Sequence, residues 1–161
     1  MLSHKILLDE VEEDYLLLAI HSSLEEYKIA YYFNKYLLTH FTRAKQDLDF
    51  NHGAVQAIYP LYSFKEPEKY RSYYLIKNKY KGSVKKVISS GSLFKEEDVS
   101  TQKTNLIPEF KEVDYFLKVE DDIDPDEALS LINRISEIPN IVTTYKVDQY
   151  KLRSRNNLIL E

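Results

Sequence analysis

The chain has 161 residues, 43% hydrophobic and 30% charged, with a formal net charge of −4, three Gly, no Cys and no Trp, against fourteen Tyr and seven Phe. Such a length and balance suit one globular domain built on a single core. The lack of cysteine excludes disulfides, thiolate zinc sites, iron–sulfur clusters and a Cys nucleophile, and Gly53, Gly82 and Gly91 stand too far apart for a G-x-G-x-x-G loop, a Walker A loop or a G-x-S-x-G elbow.

No apolar stretch approaches the roughly 18 residues of a membrane span, and acids precede the first apolar run, so a cytoplasmic protein is expected. Tyr15 to Ile20 is six apolar residues in a row between polar flanks, the pattern of a strand buried on both faces. Ser23-Leu24-Glu25-Glu26 fits a capping box. The spacing of Ile29, Tyr32, Phe33, Tyr36, Leu37, His40 and Phe41 then predicts one apolar face on a helix reaching about Phe41. Ala57 to Phe64 and Tyr70 to Asn78 read as aromatic strands joined by a hairpin turn at Lys65-Glu66-Pro67-Glu68-Lys69, with a third short strand over Val84 to Ile88. The polar run over 89–106 predicts a mobile loop.

Val113 to Val119 alternates as a strand. Asp124-Pro125-Asp126-Glu127 supplies a cap, an N1 proline and an N3 glutamate for a second helix, whose apolar stripe is Ala128, Leu131, Ile132 and Ile135. Pro139 and Asn140 stop it, and Ile141 to Val147 forms a last strand. Asp14-Tyr15 and Asp114-Tyr115 thus hold equivalent places in two strand-helix-strand units. The predicted class is α+β over residues 1–161: a mostly antiparallel sheet with both helices on one face, for which a ferredoxin-like duplication is the most economical topology.

Ile107-Pro108-Glu109-Phe110-Lys111-Glu112-Val113-Asp114-Tyr115 reads I-P-E-x-x-x-V-D-Y and so resembles the signature of the bacterial IPExxxVDY family. Ala19 to Tyr27 also looks like that family's N-terminal half. The resemblance implies a bacterial cytosolic protein and carries over no activity, cofactor or catalytic residue. Physically, Pro108 holds Ile107 extended and ends the preceding loop, so that Ile107, Pro108, Glu109, Val113, Asp114 and Tyr115 mark the start of a strand. Carboxylates beside a strand start either cap loop amides or, when buried, act as acids and bases.

Three constellations bear on function. Lys65 to Lys86 holds eight basic residues against Glu66 and Glu68, a net of +6. With tyrosines interleaved, Lys69, Arg71, Tyr73, Lys77, Lys79 and Lys81 are candidate RNA contacts, rings for bases and cations for phosphates; the alternative is a solvated lysine edge. His21, Ser22 and Ser23 follow the first strand and form a candidate polar site, weighed against an ordinary structural histidine. The acids from Glu120 to Glu127 depart from a calcium loop at its Gly and terminal Glu positions and fit the positive end of a helix. Lys95 to Glu127 nets −8, so the chain carries opposite poles. His4, His21, His40 and His52 show no metal-ligand spacing, and no metal or cofactor is expected. The expected function is a non-enzymatic protein-interaction or self-association module using a tyrosine-rich sheet face or edge. RNA binding through the hairpin 65–86 and an enzyme around His21 are the alternatives.

Overall fold

A computed structural model describes residues 14–53, 55–87 and 97–160. Its elements in chain order are β1 (Leu16–Ser22), α1 (Glu26–Leu37), β2 (Thr42–Arg43), β3 (Leu48–His52), β4 (Val55–Tyr59), β5 (Leu61–Glu66), β6 (Arg71–Lys77), β7 (Lys79–Val87), β8 (Glu97–Asn105), β9 (Tyr115–Glu120), α2 (Pro125–Ser136) and β10 (Ile141–Lys146). Six strands form one sheet in the order β10-β1-β9-β6-β5-β2, every neighbouring pair antiparallel. The class is α+β, and the two strands opened by the Asp-Tyr pairs lie side by side, Leu18 opposite Leu117.

The order β10-β1-β9-β6 makes β9 parallel to β10 across β1, and β1 parallel to β6 across β9. This ordering is compatible with the ferredoxin-like expectation, although β5 and β2 extend the sheet and the chain also forms two separate ribbons, β3-β4 and β7-β8. Alternation along β1 explains its burial on both faces. Leu16, Leu18 and Ile20 pack with Ile29, Phe33 and Leu37 of α1 and Ala128 and Ile135 of α2, which puts both helices on one face. Leu17 and Ala19 face the opposite way and pack with Phe116, Ile76, Tyr59, Ile107 and the C-terminal Leu152 and Leu158.

Four expectations are corrected by the coordinates. The capping box does not form: Glu25 is the N-cap and makes no side-chain cap bond, while the Ser22 hydroxyl, not that of Ser23, accepts from the Leu24 amide at 3.2 Å. The first helix ends at Leu37 rather than near Phe41, because Leu38 turns left-handed at φ 56°. Asn34 then closes the loop, its Oδ1 accepting from the Phe41 amide and the Thr39 hydroxyl and its Nδ2 donating to the Phe41 carbonyl. The strand expected over 57–64 is broken at Pro60: β4 pairs with β3 in one ribbon, and β5 joins the main sheet beside β6. Finally, residues 97–105 of the expected loop form β8, paired throughout with β7, while residues 88–96 and His4 lie outside the described residues.

Candidate functional site

The residues of the I-P-E-x-x-x-V-D-Y stretch converge on backbone. Asn78 is fully buried just after β6, donates from Nδ2 to the carbonyls of Phe110 and Val113 at 2.9 and 2.8 Å, and accepts from the Ile107 amide at 2.9 Å. Its own amide and carbonyl bond Asp114 and Leu106. Ile107 and Val113 are buried, and Glu109 accepts from the Ser154 hydroxyl and amide at 2.6 and 3.3 Å. Pro108 opens a short 3-10 turn, Pro108–Phe110, which lets the chain drop from the ribbon to β9. Asp114 accepts from the Ser22 amide at 2.8 Å and pairs with Lys79 at 2.9 Å. Tyr115, buried enough to push its hydroxyl well above the ordinary range, donates to the Leu24 carbonyl at 2.6 Å. Every polar group of the signature therefore holds a loop.

His21, Ser22 and Ser23 do not assemble a catalytic set with these carboxylates. His21 Nε2 bonds the Tyr145 hydroxyl at 3.0 Å, the Ser22 hydroxyl donates to the Asn140 carbonyl at 2.8 Å, and Ser23 is exposed. Four cations of the 65–86 hairpin are likewise engaged, Arg71 among them. Lys77 pairs with Glu26 at 2.9 Å, Lys79 with Asp114, and Lys69 with Glu66 at 3.2 Å; Lys81 is exposed on β7. Alternation along β6 sends Arg71, Tyr73 and Leu75 toward the helices and Tyr74 and Ile76 to the other face, so the tyrosines do not form one open platform.

What the structure does assemble is a cavity of about 190 Å³ between the C-terminal end of α1, the β5–β6 turn and α2. Leu37, Leu38, Phe64, Tyr73, Ile123 and Leu131 give it apolar walls, and Glu66, Lys69, Arg71, Glu127 and Arg134 bring both signs of charge to it. Arg71 is 7% exposed and fixes the geometry. Its guanidinium donates to both Glu127 oxygens, at 2.5 and 3.3 Å, and from Nε to Asp121 at 2.9 Å, joining β6 to the segment before α2 and to its first turn. That fork raises the guanidinium further above its ordinary range and holds the Glu127 carboxyl below the usual glutamate value. Tyr73 donates to Glu66 at 3.1 Å and stacks on Phe64, ring centroids 5.4 Å apart. Arg134 donates to the last carbonyl of α1, that of Leu37, at 3.3 Å and so ties the helices together at the rim.

Two residues, Leu38 in this lining and Tyr70 next to it in sequence, depart from the usual rules of burial and backbone. Leu38 at the end of α1 and Tyr70 at the end of the 3-10 turn Pro67–Lys69 both adopt left-handed backbone, φ 56° and 53°, where a side chain costs about 1 kcal/mol. Both are also almost fully solvated, Leu38 at 81% and Tyr70 at 95% exposure. Leu38 lines the cavity, and Tyr70 stands between the lining residues Lys69 and Arg71. Glycine or asparagine would relieve each position. Sequence reading placed Lys69, Arg71 and Tyr73 together on the hairpin but not against Glu127. The period-two pattern of β6 sets their face, whereas the partner arrives from α2, fifty-six residues away.

Among the described residues, no helix is long and apolar enough to cross a membrane and no group of three or more potential ligands is placed to hold a metal. No family model matches the chain, and neither a curated protein nor a solved structure matches it.

Proposed function

We propose that the chain is a non-enzymatic protein-interaction module that takes a side chain of its partner into the cavity between α1, the β5–β6 turn and α2. The observation that carries this reading is the pair Leu38 and Tyr70, two large side chains held in left-handed backbone and left in solvent, Leu38 in the lining of the cavity and Tyr70 next in sequence to the lining residues Lys69 and Arg71. Backbone held in a sparsely populated conformation clusters at contact and switch sites. Tyrosine is enriched at the centre of interfaces, and a cavity with apolar walls and a polar mouth suits an anchor residue.

Protein contact is preferred to RNA binding because four of the five cations in the hairpin set, Lys69, Arg71, Lys77 and Lys79, already pair with carboxylates. It is preferred to catalysis because His21 bonds a tyrosine and the Ser22 hydroxyl is spent on a carbonyl. Membership of the IPExxxVDY family and a bacterial cytosolic setting belong to the same proposal, supported by the residue-by-residue match over 107–115.

Photo-crosslinking tests it. A benzophenone amino acid at position 70 is expected to yield one discrete adduct, with a second copy or with one other protein, while the same probe at Val142, exposed on β10 at the far edge of the sheet, yields none. Equal, diffuse labelling from both positions would overturn the reading.

A further inference from the structure

We infer that residues 148–160 form a strap that opens as one unit from the second face of the sheet while the sheet stays folded, and that Glu109 of the I-P-E stretch is its clasp. The strap packs on the face opposite both helices and the cavity, so its opening and the filling of the cavity are separate events.

Beyond β10 the chain leaves the ladder. The Val147 amide donates to the Leu17 carbonyl at 2.8 Å, and among the described residues it makes the last backbone bond from this segment to the sheet. From Asp148 onward the backbone bonds are local and close the 3-10 turns Gln149–Lys151 and Arg155–Leu158. Side chains hold the strap to the body. Glu109 accepts from both the hydroxyl and the amide of Ser154, and the Tyr150 hydroxyl donates to Asp14. Asn157 Nδ2 donates to the Leu106 carbonyl, and Lys118 Nζ to the Leu158 carbonyl, each at 2.8 Å. The buried apolar residues of the strap are Leu152 and Leu158, while Lys151, Arg153, Asn156 and Ile159 are exposed. A segment with few buried apolar groups and no ladder to break opens at a lower free energy than the sheet beneath it.

The closed strap also carries two costs that water removes. Lys118 is buried on β9, its ammonium bonded to Glu120 Oε1 at 2.9 Å and to the Leu158 carbonyl, and 4.6 Å from the centre of the Tyr15 ring. Desolvating an ammonium is costly even when it is paired. Opening returns it to water with Glu120, a residue of the same strand, still beside it. Gln149, near the root of the strap, is buried, and its Oε1 accepts from no described group; opening satisfies that acceptor as well. The clasp itself stands at the surface. Pro108 starts the 3-10 turn that holds Glu109 against Ser154, so the stretch leading into β9 doubles as the receiver of the strap. Release strips Leu152 and Leu158 from the cluster that contains Leu17, Ala19 and Phe116, which gives this face a covered and an uncovered state.

Native-state hydrogen exchange of the full chain, followed residue by residue in increasing urea, decides it. The amides of Lys151, Leu152, Asn157 and Ile159 are each bonded within the strap. They are expected to share one opening equilibrium, with a urea dependence smaller than that of the amides of β1 and β9. Phe33→Ala, which weakens the opposite face, should speed exchange in β1 and β9 about a hundredfold and leave the strap amides unchanged. Ile135→Val repeats the comparison at about threefold should Phe33→Ala not fold. Glu109→Ala, at an exposed position, should speed the strap amides about fivefold or more. Strap amides that follow the sheet amides in the Phe33 or Ile135 variant would overturn the inference, because the strap would then open only with the whole fold. Strap amides that differ among themselves and ignore urea would overturn it too, as fraying of single turns. A Glu109→Ala chain with parent exchange rates in the strap would remove Glu109 as the clasp.

Discussion

Asp114 accepts from the backbone amide of Ser22 across ninety-two residues of sequence, at 2.8 Å, while its second oxygen pairs with Lys79 at 2.9 Å. The bond joins the start of β9 to the end of β1, at the point where β1 turns into α1. A side chain that satisfies an amide at such a junction fixes the angle at which the helix leaves the sheet. Asp114→Ala is expected to cost about 1 to 3 kcal/mol, as one orphaned amide and one unpaired lysine imply. Asp114→Asn, which keeps one acceptor, should lose less. Urea denaturation of both variants measures the difference, and equal losses would mean that the amide bond is not what matters.

Asn78 anchors the other end of the signature stretch. Removing its carboxamide in Asn78→Ala strips the buried Ile107 amide and Val113 carbonyl of their bonds to it, while the Phe110 carbonyl keeps the Val113 amide. Destabilisation of about 3 kcal/mol or more is expected. Asn78→Asp should fare no better, because it keeps the acceptor and discards both donors. A loss under about 1 kcal/mol for the alanine variant would show that the segment after Ile107 finds other partners.

The helix face is tested at Phe33, which is fully buried between the sheet and Phe41, against Tyr36, which is exposed. Phe33→Ala is expected to cost about 3 to 5 kcal/mol, and Tyr36→Ala close to nothing. Comparable thermal midpoints for the two variants would mean that the wrong stripe of α1 has been assigned to the core.

Acid should find the Arg71 fork. Glu127 is held below its ordinary value of 4.5 chiefly by its hydrogen bonds to Arg71. A carboxyl lowered in the folded state adds stability that is fully present above the unfolded value and is lost as pH falls through the folded one. The thermal midpoint should therefore drop between about pH 4.5 and the lowered value more steeply in the parent chain than in Arg71→Met. Parallel curves would remove the fork from the account of acid stability.

Much of this architecture could be read from residue pattern, and the failures have physical causes. The run Tyr15 to Ile20 announced a strand with both faces covered, and Asp124-Pro125 announced a helix start that forms as written, Asp124 accepting from the Asp126 amide at 2.8 Å. Ser23 misled because Ser22, one residue earlier, is positioned by Asp114 and Asn140, and no local pattern records partners that far away. The polar residues 97–105 read as a loop because an arm paired to only one neighbour lacks the apolar alternation by which strands are recognised. The cavity was invisible for a similar reason. Its parts come from α1, the β5–β6 turn and α2, and the exposure of Leu38 and Tyr70 is a property of the fold.

The central claim is that Leu38 and Tyr70 are kept strained and exposed for contact. It is tested most directly by measuring stability and association together in Leu38→Gly and Tyr70→Asn. Relief of left-handed backbone should raise stability by up to about 1 kcal/mol per site, while removal of the two exposed side chains weakens association with the protein partner at least tenfold. Variants that are less stable than the parent, or that associate as well as it does, would contradict the claim.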